Sequence, residues 1–108
     1  MISTTPAAPY WAVIFTSVRT PGDDGYAAMA EAMDRLAAEQ PGYLGHEFAR
    51  DDGLGISVVY FTDLDSIAAW RENLEHRAAQ TLGRERWYRA YKVRIARVER
   101  DYGFERED

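Results

Sequence analysis

The stretch Tyr10–Arg19 limits the choice of fold more than any other part of the chain. Trp11, Val13 and Phe15 alternate with Ala12, Ile14 and Thr16, so an extended strand here is largely apolar on both faces. Such a strand has to be covered on two sides. Helices of the same chain can supply one cover. A second apolar layer must supply the other.

The rest of the chain reads as helices and further strands. Thr20-Pro21-Gly22-Asp23-Asp24-Gly25 is a turn, and its Asp pair can cap a following helix. Tyr26, Met29, Ala30, Met33, Leu36 and Ala37 recur at spacings of three and four, which predicts a helix over Tyr26–Gln40 with one apolar stripe. Pro41-Gly42 stops it. Tyr43–Arg50 reads as a strand with Leu44, His46 and Phe48 on one face. Asp51-Asp52-Gly53 then signals a hairpin into a strand over Gly55–Phe61. Ile67, Ala68, Trp70 and Leu74 form a second helical stripe, which can extend through Leu82 with a break near Asn73. Arg84–Arg89 predicts a further helical turn, and Tyr91–Val98 a last strand. The order is β-α-β-β-α-β, an α+β ferredoxin-like fold with an antiparallel sheet and helices on one face. A second copy of the sheet is the simplest cover for the other face, which predicts a homodimer. Residues 1–9 are expected to be a flexible arm, 10–102 the domain, and 103–108 a charged tail.

Composition removes several function classes. The chain of 108 residues suits one core, and its net charge of −5 argues against nucleic acid, which needs a clustered basic surface. There is no Cys, so no disulfide, thiolate nucleophile or Cys-bound zinc is expected, which agrees with a cytoplasmic setting. No apolar run approaches the roughly 20 residues of a membrane helix, and Met1–Tyr10 lacks the features of a signal peptide. Two isolated His residues make no metal motif, and no cofactor is expected.

The residues then show a family likeness. Gln40-Pro41-Gly42-Tyr43-Leu44-Gly45, Asp65-Ser66-Ile67-Ala68-Ala69-Trp70, Glu75-His76-Arg77-Ala78-Ala79-Gln80, Gly83-Arg84-Glu85-Arg86-Trp87-Tyr88 and the basic strand from Tyr91 together resemble the antibiotic biosynthesis monooxygenase family of dimeric α+β barrels. The resemblance spans Tyr10–Tyr102. It implies a pocket between sheet and helices, with Trp70 at the place of a Trp on the family's second helix. Members of known activity include cofactor-free oxygenases of electron-rich polycyclic phenols, in which the substrate itself reduces oxygen. Their Asn one turn before that Trp falls here on Ser66, so its role does not carry over. The haem-degrading branch has a His ten positions after the Trp, where this chain has Gln80, and an Asn on the first strand, where it has Thr16 and Ser17. Tight haem binding is therefore not expected.

Each candidate residue also has a plain structural reading. Trp70 is either a core aromatic or a pocket wall. His76 and Gln80 share a helix face, and His76 is either a proton acceptor or part of a polar surface stripe. His46 is either a pocket base or a hydrogen-bonded core residue. Tyr60, Trp87 and Tyr91 either line the same cavity with Gln80 or simply pack. The expected function is a monooxygenase acting on a small aromatic compound. The alternative is a ligand-binding or stress-response protein on the same scaffold, with haem handling a third option.

Overall fold

The computed structural model describes residues 2–107, apart from the side chains of residues 74 and 75. It has strand β1 (Tyr10–Arg19), helix α1 (Tyr26–Ala38), strands β2 (Tyr43–Arg50) and β3 (Gly55–Phe61), helices α2 (Leu64–Glu72) and α3 (Leu74–Leu82), a π-helical turn (Gly83–Trp87) and strand β4 (Tyr88–Val98). The four strands form one antiparallel sheet in the order β2-β3-β1-β4, with β1 paired along its length to β3 and β4. This is the α+β ferredoxin-like arrangement expected from the element order. No helix among the described residues is long and apolar enough to cross a membrane.

The helices cover one face of the sheet. Val13, Val59 and Phe61 from that face pack with Leu36 and Ala37 of α1 and Ile67 and Trp70 of α2. Because strand side chains alternate, Trp11, Phe15 and Ser17 face the helices with Val13. Tyr10, Ala12, Ile14, Thr16 and Val18 face away. The double apolar character of β1 thus serves two different layers.

Local chemistry explains the element ends. The carboxylate of Asp23 accepts hydrogen bonds from the Gly25 and Ala27 amides at 3.0 Å, which holds the start of α1. Asp63 caps α2 by accepting from the Ser66 amide at 2.7 Å. The second helical region does break at Asn73, whose ψ of 132° is extended. Ala68, expected on the apolar stripe, is exposed, because α2 turns only Ser66, Ile67 and Trp70 inward. The side chain of Leu74, also assigned to that stripe, lies outside the described residues.

The second strand differs from simple alternation. Tyr43 pairs with Phe61, but Gly45 already pairs with Tyr60, so Leu44 is an extra, bulged residue. Tyr43 therefore shares the helix-facing side with His46 and Phe48, and its ring meets Phe61 edge-on. Ser3 is pinned beside the bulge: its amide donates to Glu47 at 3.0 Å and its hydroxyl accepts from the His46 amide at 2.9 Å. Thr5 reaches Tyr10 and Asp101, so the N-terminal arm is tied to the sheet at two points. In the tail, Tyr102 and Phe104 remain exposed.

Gly42 gives a stringent test of this geometry. Its φ of +85° is left-handed, and a Cβ there would sit 2.6 Å from Thr62 Oγ1 and 2.9 Å from Ser66 Cβ. At Gly53 the nearest obstacle to a Cβ is 3.8 Å away. Gly42→Ala should lower unfolding free energy by more than about 1 kcal/mol, whereas Gly53→Ala should stay within about 0.5 kcal/mol. Urea denaturation of the two variants checks the contrast.

Candidate active site

The layer between sheet and helices is filled at one end and open at the other. Cross-strand rows set its floor. Tyr43, Phe61 and Trp11 form the row under the packed core, and His46, Val59, Val13 and Ile95 form the next. The third row is Phe48, Ser57, Phe15 and Val93, and the fourth is Arg50, Gly55, Ser17 and Tyr91. Ser57, Gly55 and Ser17 are too small to reach the helices. Above them α1 presents Tyr26, Met29, Ala30 and Met33. The result is a cavity of about 400 Å³, within the range of ligand sites. Val93 and Ile95 line it yet stay about 40% exposed (40% and 39%), so it opens along β4.

Trp70 and His76 form its inner wall. Trp70 is 8% exposed and packs on Phe61, with ring centroids 5.6 Å apart. The His76 ring lies against Trp70 at 4.5 Å. Trp70 therefore serves both readings, as core aromatic and as cavity wall. Burial, with the Arg71 guanidinium adding to it, pushes the His76 imidazole below its usual 6.5. It is thus held neutral, as a proton acceptor must be.

The other expected site residues divide. Gln80 and Tyr91 line the cavity. Tyr91 accepts a hydrogen bond from Arg84 Nε at 2.9 Å. His46 lies on the floor side but is held by its neighbours: Nε2 is 3.0 Å from Ser57 Oγ and 3.8 Å from Asp34. Burial raises the Asp34 carboxyl while His46 lowers it, with burial the larger effect. Tyr60 is not brought to the cavity. It pairs with Ala12 on the opposite face and donates to Glu47 at 2.7 Å. Burial, with Glu47 beside it, pushes that phenol up to about 12. Trp87 is also outside, because the π-helical turn carries its indole to Asp24, whose carbonyl accepts its N–H at 2.7 Å. Ser66, at the family's Asn position, is buried beneath Gly42.

Sequence reasoning passed over Arg50, Tyr26, Tyr88 and Ser17, all of which line the cavity. Arg50 follows His46 and Phe48 at alternate positions, so strand period alone could have placed it there. Among the described residues, three buried side-chain polar atoms lack a hydrogen-bond partner: Arg50 Nε, Trp70 Nε1 and His76 Nδ1. All three belong to residues lining this one cavity. Buried groups are ordinarily paired, and leaving one unpaired costs roughly 1–3 kcal/mol. Among the described residues, no three His, Asp or Glu gather to hold a metal.

The sequence comparison now decides the kinship. Residues 9–82 match the family model of antibiotic biosynthesis monooxygenase. The chain belongs to this family. A Bacillus subtilis protein, the uncharacterised YqjZ, is 50% identical over 105 residues, which cover 96% of this chain and 92% of that one. SnoaB, a cofactor-independent oxygenase from Streptomyces nogalater, superposes with a TM-score of 0.70 at 13% identity, covering 92% of this chain and 100% of SnoaB. Rv0793 of Mycobacterium tuberculosis gives 0.71 at 13% identity, covering 94% and 100%. At such identities the two structures establish a shared fold, and the family membership rests on the sequence.

The depressed His76 titration has a consequence for stability. The folded state resists protonating this ring, so its contribution is complete above pH 6.5 and is lost as pH falls through the lower folded value. Melting temperature should therefore drop as pH falls below 6.5, and His76→Gln should flatten that part of the curve. Thermal melts of both proteins across this range check it.

Proposed function

We propose that the protein is a cofactor-independent monooxygenase that oxidises an electron-rich hydroxylated aromatic compound in this cavity. The observation that carries the reading is that three buried polar groups without a hydrogen-bond partner line one apolar, aromatic-walled cavity. Family membership and the fold shared with SnoaB support the reaction class.

The roles follow from the chemistry of each side chain. Neutral His76 takes the phenolic proton and leaves an electron-rich phenolate. The phenolate reduces molecular oxygen, and oxygen adds to the ring carbon. One oxygen atom stays as a new carbonyl and the other leaves as water, so a hydroxyarene plus O₂ becomes a quinone plus H₂O. The Trp70 indole N–H is a donor available to oxygen charge as it develops. Phe15, Met29 and Met33 give the intermediate an apolar wall.

Oxygen uptake with a panel of hydroxylated polycyclic aromatics tests the proposal. His76→Gln should reduce turnover by about 10²–10⁴-fold with the fold retained. Trp70→Phe, which keeps the ring but loses the N–H, should also lower turnover. Trp70→Ala is the poorer probe, since emptying that site costs roughly 3–5 kcal/mol of stability. If the panel binds but none is consumed, the chain is a binding protein.

The working unit in this proposal is a homodimer built on the outer sheet face. That face carries Ile14, Ile56, Val58 and Ala96 by strand register, and Ile56 is 43% exposed. A pair of such faces should bury more than about 1,000 Å² in total. Ile14 sits mid-face, paired with Val58 on one side and Arg94 on the other. Light scattering should give twice the chain mass at micromolar concentration, and Ile14→Glu should give the single-chain mass.

A further inference from the structure

Arg50 is a cavity cation with no ion-pair partner among the described residues. Its guanidinium lies across Gly55, where a Cβ would fall 2.7 Å from Nε, and reaches Ser17 on the neighbouring strand. The row Arg50, Gly55, Ser17 therefore has a glycine where a side chain would displace the charge. Its known hydrogen-bond partner is the neutral Ser17 hydroxyl, and Nε is buried and unpaired. Among the described residues no carboxylate lies within 4.0 Å of it to form an ion pair. The adjacent Asp51 carboxylate is turned to the hairpin, accepting from the Gly53 and Leu54 amides at 2.9 and 2.8 Å.

Asp51 acts on it only at a distance, and the other neighbours carry no negative charge. Tyr88 lines the same cavity, and burial raises its phenol, so it stays protonated. The Tyr26 ring centroid is 5.9 Å from the Arg50 guanidinium, a weak contact. By contrast Arg19 is fully engaged, donating to the Trp87 and Gly22 carbonyls and stacking 3.5 Å over Tyr26. Arg84, also on the wall, donates to Tyr91 and is exposed. A half-buried guanidinium with a free N–H is costly unless an anion meets it. Its planar fork matches a carboxylate with two parallel hydrogen bonds.

We infer that Arg50 anchors a carboxylate on the ligand, which makes the substrate class a hydroxyaryl carboxylate. This rests on the cavity being the ligand site proposed above. It adds a direction to it. Arg50 belongs to the fourth row of the floor, and Trp70 packs over Phe61 in the first. Those rows lie toward opposite ends of the cavity. An aromatic body held by its carboxylate at Arg50 points its far edge toward Trp70 and His76.

The test compares 6-hydroxy-2-naphthoate, whose hydroxyl is on the edge far from the carboxylate, with 6-hydroxy-2-naphthamide, which keeps the phenol and the shape but lacks the charge. Binding is read by calorimetry without oxygen, so that turnover does not intervene. The wild-type protein should bind the carboxylate at least about tenfold more tightly, the worth of one charge-assisted hydrogen bond. Arg50→Gln should erase the preference while amide affinity stays within about twofold, Arg50→Lys should keep part of it, and Arg35→Gln, on the exposed side of α1, should leave it intact. Equal binding of the two compounds by the wild type overturns the inference and leaves the enzyme reading standing. So does a preference that survives in Arg50→Gln. Binding of neither compound overturns this inference and the ligand-site reading together. If Arg50→Gln does not fold, the wild-type comparison and Arg50→Lys still decide.

Discussion

Trp70 packed on Phe61 is the contact on which the rest of the architecture depends. On one side of it lie Ile67, Leu36, Ala37 and Val13, a dry and filled core. On the other side the floor residues shrink to serine and glycine and the layer opens. The helices cannot collapse onto that floor, because the core end holds them at the spacing set by large rings. The cavity is therefore a result of uneven side-chain size along β1 and β3. Its presence does not require a long loop or a lid.

That unevenness also explains what could be read from the chain alone. The element order, the helix stripes and the break at Asn73 follow from periodicity and turn residues, which act locally. So does the pairing of His76 with Gln80 on one face. The facing of β3 does not. Ile56, Val58 and Tyr60 are as apolar as Val59 and Phe61, and the inward set contains Gly55 and Ser57, which look like surface residues. Only the register against β1 assigns the faces, and it sends Tyr60 outward. Trp87 was misplaced for a different reason. A π-helical turn adds a residue to the helical repeat, and the wider turn rotates its indole away from the face that α3 would have continued.

Arg50 was hidden by convention. An arginine at the end of a strand, next to a hairpin, reads as solvated edge. It becomes informative only once Gly55 and Ser17 are seen in the same cross-strand row. The polar network on the opposite face shows the reverse case. Glu47 receives both Ser3 and Tyr60, and Asp101 receives Tyr10 and Thr5, so these charges are spent on holding the arm and tail. On that face the charged groups hold chain segments together, whereas Arg50 on the helix-facing side pairs with no carboxylate among the described residues.

The break at Asn73 has an evolutionary consequence. It separates α2, whose Ile67 and Trp70 belong to the core, from α3, whose His76, Ala79 and Gln80 line the cavity. A continuous helix would force both sets to move as one rod. With the extended residue between them, Ala79 and Gln80 can change with little effect on the core, while His76 still touches it through Trp70. Mutations that retune ligand choice can therefore accumulate at those two positions at little risk to stability. The scaffold can diverge in chemistry faster than it diverges in shape, which is how chains as dissimilar as 13% identical can share it.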